Sequence, residues 1–113
     1  MSDCLFCKIV DGKIAAKIVA ENEHAIAFRD TNPQAPTHVL IVPRKHIPSL
    51  NELTDGDAEL VGRLHLFAKQ IAADEKLGDG WRAVFNTGPH AGQTVFHIHL
   101  HVLGGRPLGW PPG

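Results

Sequence analysis

The run Thr94-Val95-Phe96-His97-Ile98-His99-Leu100-His101-Val102-Leu103 sets three histidines in strict alternation with aliphatic residues. Side chains on a strand alternate faces with period two. A strand through Thr94 to Leu103 therefore puts His97, His99 and His101 on one face, with Phe96, Ile98, Leu100 and Val102 on the other. One face is suited to a core and the other to chemistry. Each imidazole within such an apolar run needs hydrogen bonding that Val or Thr would not, so the pattern points to a site. Structural, metal-binding and catalytic histidines all remain open at this level. On a strand rising about 3.3 Å per residue, alternate residues lie roughly 6.6 Å apart and the outer pair roughly 13 Å. Tetrahedral zinc, with bonds of about 2.0–2.1 Å to nitrogen, takes one or two of these histidines but not all three.

With 113 residues the chain is expected to form one domain, 1–113, with a modest buried fraction that dimerisation would supplement. A net charge of −1 and a single short basic cluster, Arg44-Lys45-His46, give no reason to expect a nucleic-acid partner. Nothing approaches the 18 or more apolar residues of a membrane span, and Met1-Ser2-Asp3-Cys4 does not resemble a signal peptide. A cytoplasmic protein without a membrane partner is expected. The two cysteines, Cys4 and Cys7, make a C-x-x-C pair rather than a disulfide framework.

Leu5, Phe6, Ile9 and Val10 suit a short amphipathic helix capped by Ser2 or Asp3 and ended by Asp11-Gly12. Strands are expected at Lys17 to Glu21 and His24 to Arg29, joined by a turn at Asn22-Glu23. A further strand at Thr37 to Pro43 follows the loop Asp30 to Pro36, and Ile47 to Leu53 reads as irregular. Thr54 is a suitable cap for a long helix over Asp57 to Lys76, with Leu60, Leu64, Phe67 and Ile71 on its apolar face and Gly78 closing it. Trp81 to Thr87 reads as a strand, Gly88 to Gln93 as a glycine-rich loop, and Thr94 to Leu103 as the histidine strand. Helices kept apart from a hairpin-built sheet define an α+β fold. Gly78-Asp79-Gly80-Trp81-Arg82-Ala83 matches a loose dinucleotide pattern but follows a helix and opens a strand, the reverse of that fingerprint. The tail Gly109-Trp110-Pro111-Pro112-Gly113 is irregular, either frayed or docked through Trp110.

The segment Gly92 to Arg106, with its HxHxH core, resembles the signature of the histidine triad family. Pro33-Gln34-Ala35-Pro36-Thr37-His38 and Trp110-Pro111-Pro112-Gly113 resemble the Hint branch of that family, the histidine triad nucleotide-binding proteins. The resemblance covers essentially the whole chain, with Thr94 where Ser is commoner and Phe96 where Tyr is commoner. It implies a five-stranded antiparallel sheet with one short and one long helix, and a homodimer joining two sheets into ten strands. It also implies a purine nucleoside phosphoramidate hydrolase, acting on AMP-amine or AMP-lysine type substrates through a covalent nucleotidyl-histidine.

By that resemblance His99 is the nucleophile. His97, His101, Thr94 and His38 complete the catalytic set, and no cofactor is needed for catalysis. Neutral imidazole, with an ordinary pKa of about 6.5, attacks without a strong base and chiefly needs orientation, which a hydrogen bond from one ring nitrogen to a backbone carbonyl would supply by fixing the tautomer and leaving the other nitrogen aimed at phosphorus. Phosphoryl transfer also needs charge stabilisation. The chain has no P-loop, so a protonated His101 with donors from Gln93, Thr94 and the glycine loop is expected to substitute. Asp30 matches the ribose-binding carboxylate, Leu5, Phe6, Ile9 and Phe28 the base pocket, and Asn86 a phosphate or ribose contact. Read from the residues alone, those four apolar side chains are ordinary core and Asn86 a turn residue.

Cys4, Cys7, His46 and His97 have the Cys₂His₂ composition of a structural zinc site, which some family members carry at these positions. Redox-active and unreactive thiols are equally compatible with the spacing. Two other functions fit the sequence: a nucleotide-binding regulator with vestigial catalysis, and a zinc hydrolase that uses the histidines as ligands.

Overall fold

The computed structural model describes residues 3–113. Helix α1 (Leu5–Val10) is followed by strands β1 (Ile18–Glu21), β2 (Ala25–Arg29) and β3 (Thr37–Pro43). Helix α2 (Ala58–Asp74) and strands β4 (Trp81–Val84) and β5 (Leu100–Gly104) complete the order. The strands form one antiparallel sheet in the order β1-β2-β3-β5-β4. The architecture is the expected α+β one, with five strands, one short and one long helix.

Alternation along the strands divides the sheet into two faces. Ala25 and Ala27 of β2, Val39 and Ile41 of β3, and Leu100 and Val102 of β5 pack with Leu64, Ala68, Ile71 and Ala72 of α2. Leu60 and Phe67 lean on this cluster from the helix flank, so the expected stripe is the buried one, widened by two alanines that let helix and sheet approach. On the other face Phe6 and Ile9 of α1 cover Ile26, Phe28, Leu40 and Val42. Asp57 stands at the start of α2, where its carboxylate accepts from the Thr54 backbone N–H (2.9 Å) and from Lys45 Nζ (2.7 Å). Among the described residues no helix is long and apolar enough to cross a membrane.

Three boundaries differ from expectation by two residues or more, and the cap of α1 also moves, each for a local reason. The histidine strand begins at Leu100, not Thr94. Its ladder with β3 runs from Thr37↔Gly104 to Ile41↔Leu100. Continued, it would reach Pro43, which has no N–H to give and whose carbonyl accepts from His97 Nε2 at 2.7 Å. The Ile98 N–H donates instead to the Ile47 carbonyl (2.8 Å). Phe96, expected with the core residues, is consequently 51% exposed, whereas Ile98, Leu100 and Val102 are buried as expected. For the same reason β4 stops at Val84, opposite His101, instead of reaching Thr87.

The long helix ends two residues early. Lys76, with φ of 60°, takes the left-handed position expected of Gly78. The Leu77 N–H bonds the Ala72 carbonyl (2.9 Å) and the Lys76 N–H the Ala73 carbonyl (3.1 Å), the two bonds of a Schellman turn. This early exit drives Leu77 into the core against Gly104, where a Cβ would lie 2.8 Å from a Leu77 methyl. At α1 the N-cap is Cys4, whose Sγ accepts from the Cys7 N–H at 3.3 Å. Asp3 does not fill that role, and Ser2 lies outside the described residues.

Candidate active site and metal-ligand cluster

The three histidines share the α1 face but have different partners. His97 is wholly buried. Its Nε2–H donates to the Pro43 carbonyl, which leaves Nδ1 as the lone-pair nitrogen. That Nδ1 lies 3.4 Å from Cys4 Sγ, 3.5 Å from Cys7 Sγ and 3.2 Å from His46 Nδ1, and Cys7 Sγ lies 3.3 Å from His46 Nδ1. All four ligand atoms fall within 4.8 Å of one another. Zinc with bonds of about 2.0–2.1 Å to nitrogen and 2.3 Å to sulfur gives tetrahedral edges of roughly 3.3–3.8 Å. The cluster fits that tetrahedron, and the bond from His97 to Pro43 is the kind of outer contact that orients a ligating imidazole.

His99 Nδ1 donates to the His97 main-chain carbonyl at 2.8 Å. Its Nε2 is therefore the unprotonated nitrogen, and no hydrogen bond engages it among the described residues. Phe6 of α1 meets the ring edge-on, with centroids 4.9 Å apart and planes at 87°. Burial lowers the His99 pKa, opposed by the bond to His97 and by Asp30.

His101 ends a second chain of hydrogen bonds. The Gln34 N–H donates to His38 Nδ1 (3.0 Å), so the His38 proton sits on Nε2, from which it reaches His101 Nδ1 at 2.9 Å. The His101 proton is thereby placed on Nε2, a buried atom with no hydrogen-bond partner among the described residues. Asp30 Oδ2 lies 3.4 Å from His38 Nε2. Burial, then the neighbouring His99 and His38, push the His101 pKa down to about 4, while Asp30 opposes. The expected protonated His101 is thus neutral here at neutral pH, and donates as a neutral N–H. His38 and His97 are also lowered, mainly by burial.

These two chains give adjacent rings, 4.9 Å between centroids, opposite capacities. His99 presents a lone pair and His101 an unsatisfied donor. That combination suits attack on an electrophilic centre that carries a hydrogen-bond-accepting oxygen.

The remaining expected residues divide. Phe6 and Phe28 are in contact (5.5 Å, 74°) beside His99, Ile9 belongs to the same cluster, and Asp30 stands beside His38. Leu5 does not join that group. It is 44% exposed and, with the exposed Thr94, lines a cavity of about 410 Å³ beside Cys4, His46 and Phe96. Gln93 departs from its expected role. Its two amide hydrogens go to the Pro48 and Val95 carbonyls and its Oε1 accepts from the Gly88 N–H, so the buried side chain braces the loop instead of offering donors. Asn86 is half-buried just past β4. Trp110 is 83% exposed, while the tail is held where Arg82 donates to the Gly109 carbonyl (2.8 Å). A larger cavity, about 630 Å³, lies around Leu77, Arg82 and Arg106 at the far end of β5 and contains none of the triad. The backbone carbonyl expected to fix the tautomer of His99 is that of His97, whereas sequence reasoning missed the Pro43 carbonyl and the Gln34 N–H. Backbone groups such as these leave no mark in residue identity.

Comparison with known proteins agrees with this fold. Residues 3–107 match the family model described as scavenger mRNA decapping enzyme C-term binding. An uncharacterised HIT-like protein of Synechocystis is 53% identical over 98% of this chain and 97% of its own. The crystal structure of a HIT family hydrolase from Legionella pneumophila superposes with a TM-score of 0.97 at 52% identity, covering 98% of this chain and all of that one. A histidine triad nucleotide-binding protein from Candida albicans superposes with a TM-score of 0.82 at 30% identity, covering 96% and 83%. With residues 3–107 matching the family model and these relatives matching over nearly its whole length, the chain belongs to the histidine triad (HIT) family.

Proposed function

We propose that this protein is a nucleotide-binding hydrolase of the Hint branch that cleaves the P–N bond of purine nucleoside 5′-phosphoramidates. The observation that carries the reading is the pairing of a His99 Nε2 lone pair with an orphaned, buried His101 Nε2–H. The His99 lone pair attacks the α-phosphorus and forms an N–P bond as the P–N bond to the leaving group breaks. The departing nitrogen takes up a proton and leaves as the amine. Water then attacks the same phosphorus, the His99–phosphorus bond breaks, and the nucleoside monophosphate departs. His101 donates to a non-bridging oxygen, where charge accumulates. His38, held by Gln34, keeps His101 in the donating tautomer. Phe6, Ile9 and Phe28 offer an apolar wall to the base and Asp30 an acceptor to the ribose hydroxyls.

The hydrolase and nucleotide-binding names of the Legionella and Candida relatives support the class. The Cys4, Cys7, His46 and His97 cluster would hold a structural zinc, which fixes those side chains and leaves His99 to react. The protein would work in the cytoplasm as a homodimer. Strand β4 is at the sheet edge with alternate residues exposed, which suits pairing with a second copy into ten strands.

Mass spectrometry of enzyme quenched during turnover of an AMP-amine substrate should find one nucleotidyl group on His99. Continued hydrolysis with no such adduct in rapid-quench samples, and with full activity in His99→Ala, would overturn the covalent mechanism.

A further inference from the structure

The segment that carries the nucleophile is not held by the sheet. Residues 94–99 precede the first ladder pair of β5. Among the described residues, their hydrogen bonds to the rest of the chain run through the Ile98 N–H to Ile47, the Val95 carbonyl to the Gln93 amide, and the His97 ring. That ring is anchored at both nitrogens, by Pro43 at Nε2 and by the Cys4, Cys7 and His46 cluster at Nδ1. The main-chain carbonyl of the same residue accepts from His99 Nδ1. Where the His97 peptide sits therefore decides whether His99 keeps its Nδ1–H and points Nε2 outward.

A second connection reaches His99 from above. Cys4 caps α1 and Cys7 lies within it, so the sulfurs that face His97 also place the helix. Phe6, between the two cysteines, packs its ring edge-on against His99 and more loosely against His97, at 6.2 Å. A metal ion in the cluster would clamp α1 and the 94–99 segment together on either side of the nucleophile. Without it, the link between them rests on weaker hydrogen bonds between thiols and imidazoles and on the packing of Phe6.

We infer that the metal cluster serves catalysis by positioning: His97 transmits metal occupancy to His99 through its own main-chain carbonyl. This rests on the zinc and nucleophile readings above. Loss of the metal then leaves the nucleotide contacts of Asp30 and Phe28 in place while His99 samples both tautomers.

The test compares zinc-loaded protein with chelated protein and with His46→Gln, after labelling histidine with nitrogen-15. The variant removes one ligand from an exposed position, and so keeps the comparison available if full chelation unfolds the chain. At one pH near neutrality, the loaded protein should bind one zinc and show His99 as a single Nδ1–H tautomer. The metal-depleted and variant forms should show averaged His99 nitrogen signals. With an AMP-amine substrate, kcat should fall roughly 10-fold with KM nearly unchanged, the scale of outer-contact effects at metal sites. One zinc bound with identical His99 signals and identical kcat in all forms would overturn the coupling while sparing the zinc reading. Failure to bind zinc at all would overturn both. If phosphoramidates prove not to be substrates, the tautomer signals alone decide the coupling.

Discussion

The two faces of the sheet are built from the same strands, yet they do opposite things. Toward α2, β3 and β5 present Val39, Ile41, Leu100 and Val102, each 1% exposed or less, under a 17-residue helix. Toward α1 the alternate positions carry His38 and His101 beside Leu40, under a helix of six residues. The long helix can exclude water from a whole face, so that face is aliphatic and needs no hydrogen bonds. The short helix covers the β2 and β3 portion and leaves the imidazoles beyond it to be satisfied individually. Among the described residues, every ring nitrogen of His38, His97, His99 and His101 except two has a hydrogen-bonding partner. The two exceptions, His99 Nε2 and His101 Nε2, belong to adjacent rings and are of opposite hydrogen-bonding character. Stability is thus concentrated on one side, and an unsatisfied, reactive arrangement is tolerated on the other.

Substitutions should separate the faces. The largest effect is expected for His99→Ala, which should lower kcat on an AMP-amine substrate by at least about 10³-fold, as loss of a nucleophile does, with little change in melting temperature. A parallel fall in thermal stability would mean that His99 belongs to the core after all. Leu64→Ala on the α2 face should do the reverse. It should cost about 2–5 kcal/mol in denaturant unfolding by opening a cavity at a fully buried site, with kcat of the folded fraction unchanged.

The histidine face should also register acid. His101 has a native pKa of about 4 against roughly 6.5 unfolded, so the unfolded chain binds the proton first. The stability this contributes is present above pH about 6.5 and is lost as pH falls toward 4, on the order of 3 kcal/mol at most. Urea midpoints measured across that range should decline, and the decline should be shallower in His101→Gln. An equal slope in the two proteins would show that His101 is not held neutral. The smallest effect is expected at the ion pair between Arg29 and Glu75, 2.6 Å and 3.0 Å across its two contacts but partly exposed. Arg29→Met should cost about 1 kcal/mol or less by thermal melts, and less still in high salt. A larger loss would mean that the pair fastens the end of α2 more firmly than its exposure implies.

Much of the architecture is legible in residue order because it follows from local periodicity. Strand β3 at Thr37–Pro43 matches expectation to the residue, since an apolar β-branched run ending in proline has one reading. The helix stripe through Leu64 and Ile71 is likewise fixed by spacing. The boundaries that moved depend on distant partners. Alternation continues back to Thr94 and so predicts a histidine strand from there, but alternation does not reveal that Pro43 across the sheet has no N–H. Residue type predicts Gly78 as the helix terminator, yet burial of Leu77 against Gly104 goes with a turn at Lys76. In the site, His38, His99, His101 and Asp30 were identified by residue type and family resemblance, and the structure groups them. Gln93 was assigned by the same resemblance as a donor, but its side chain closes the loop.

The sequence by itself determined an α+β chain with a histidine-bearing face, because side-chain period and hydrophobic pattern are local properties. It also determined the inventory of Cys4, Cys7, His46 and His97. Only the tertiary structure decided which imidazole donates, which accepts and which faces the cysteines. Those choices are made by the carbonyls of Pro43 and His97 and the N–H of Gln34, backbone groups that every sequence has and that folding alone brings within reach of a particular ring.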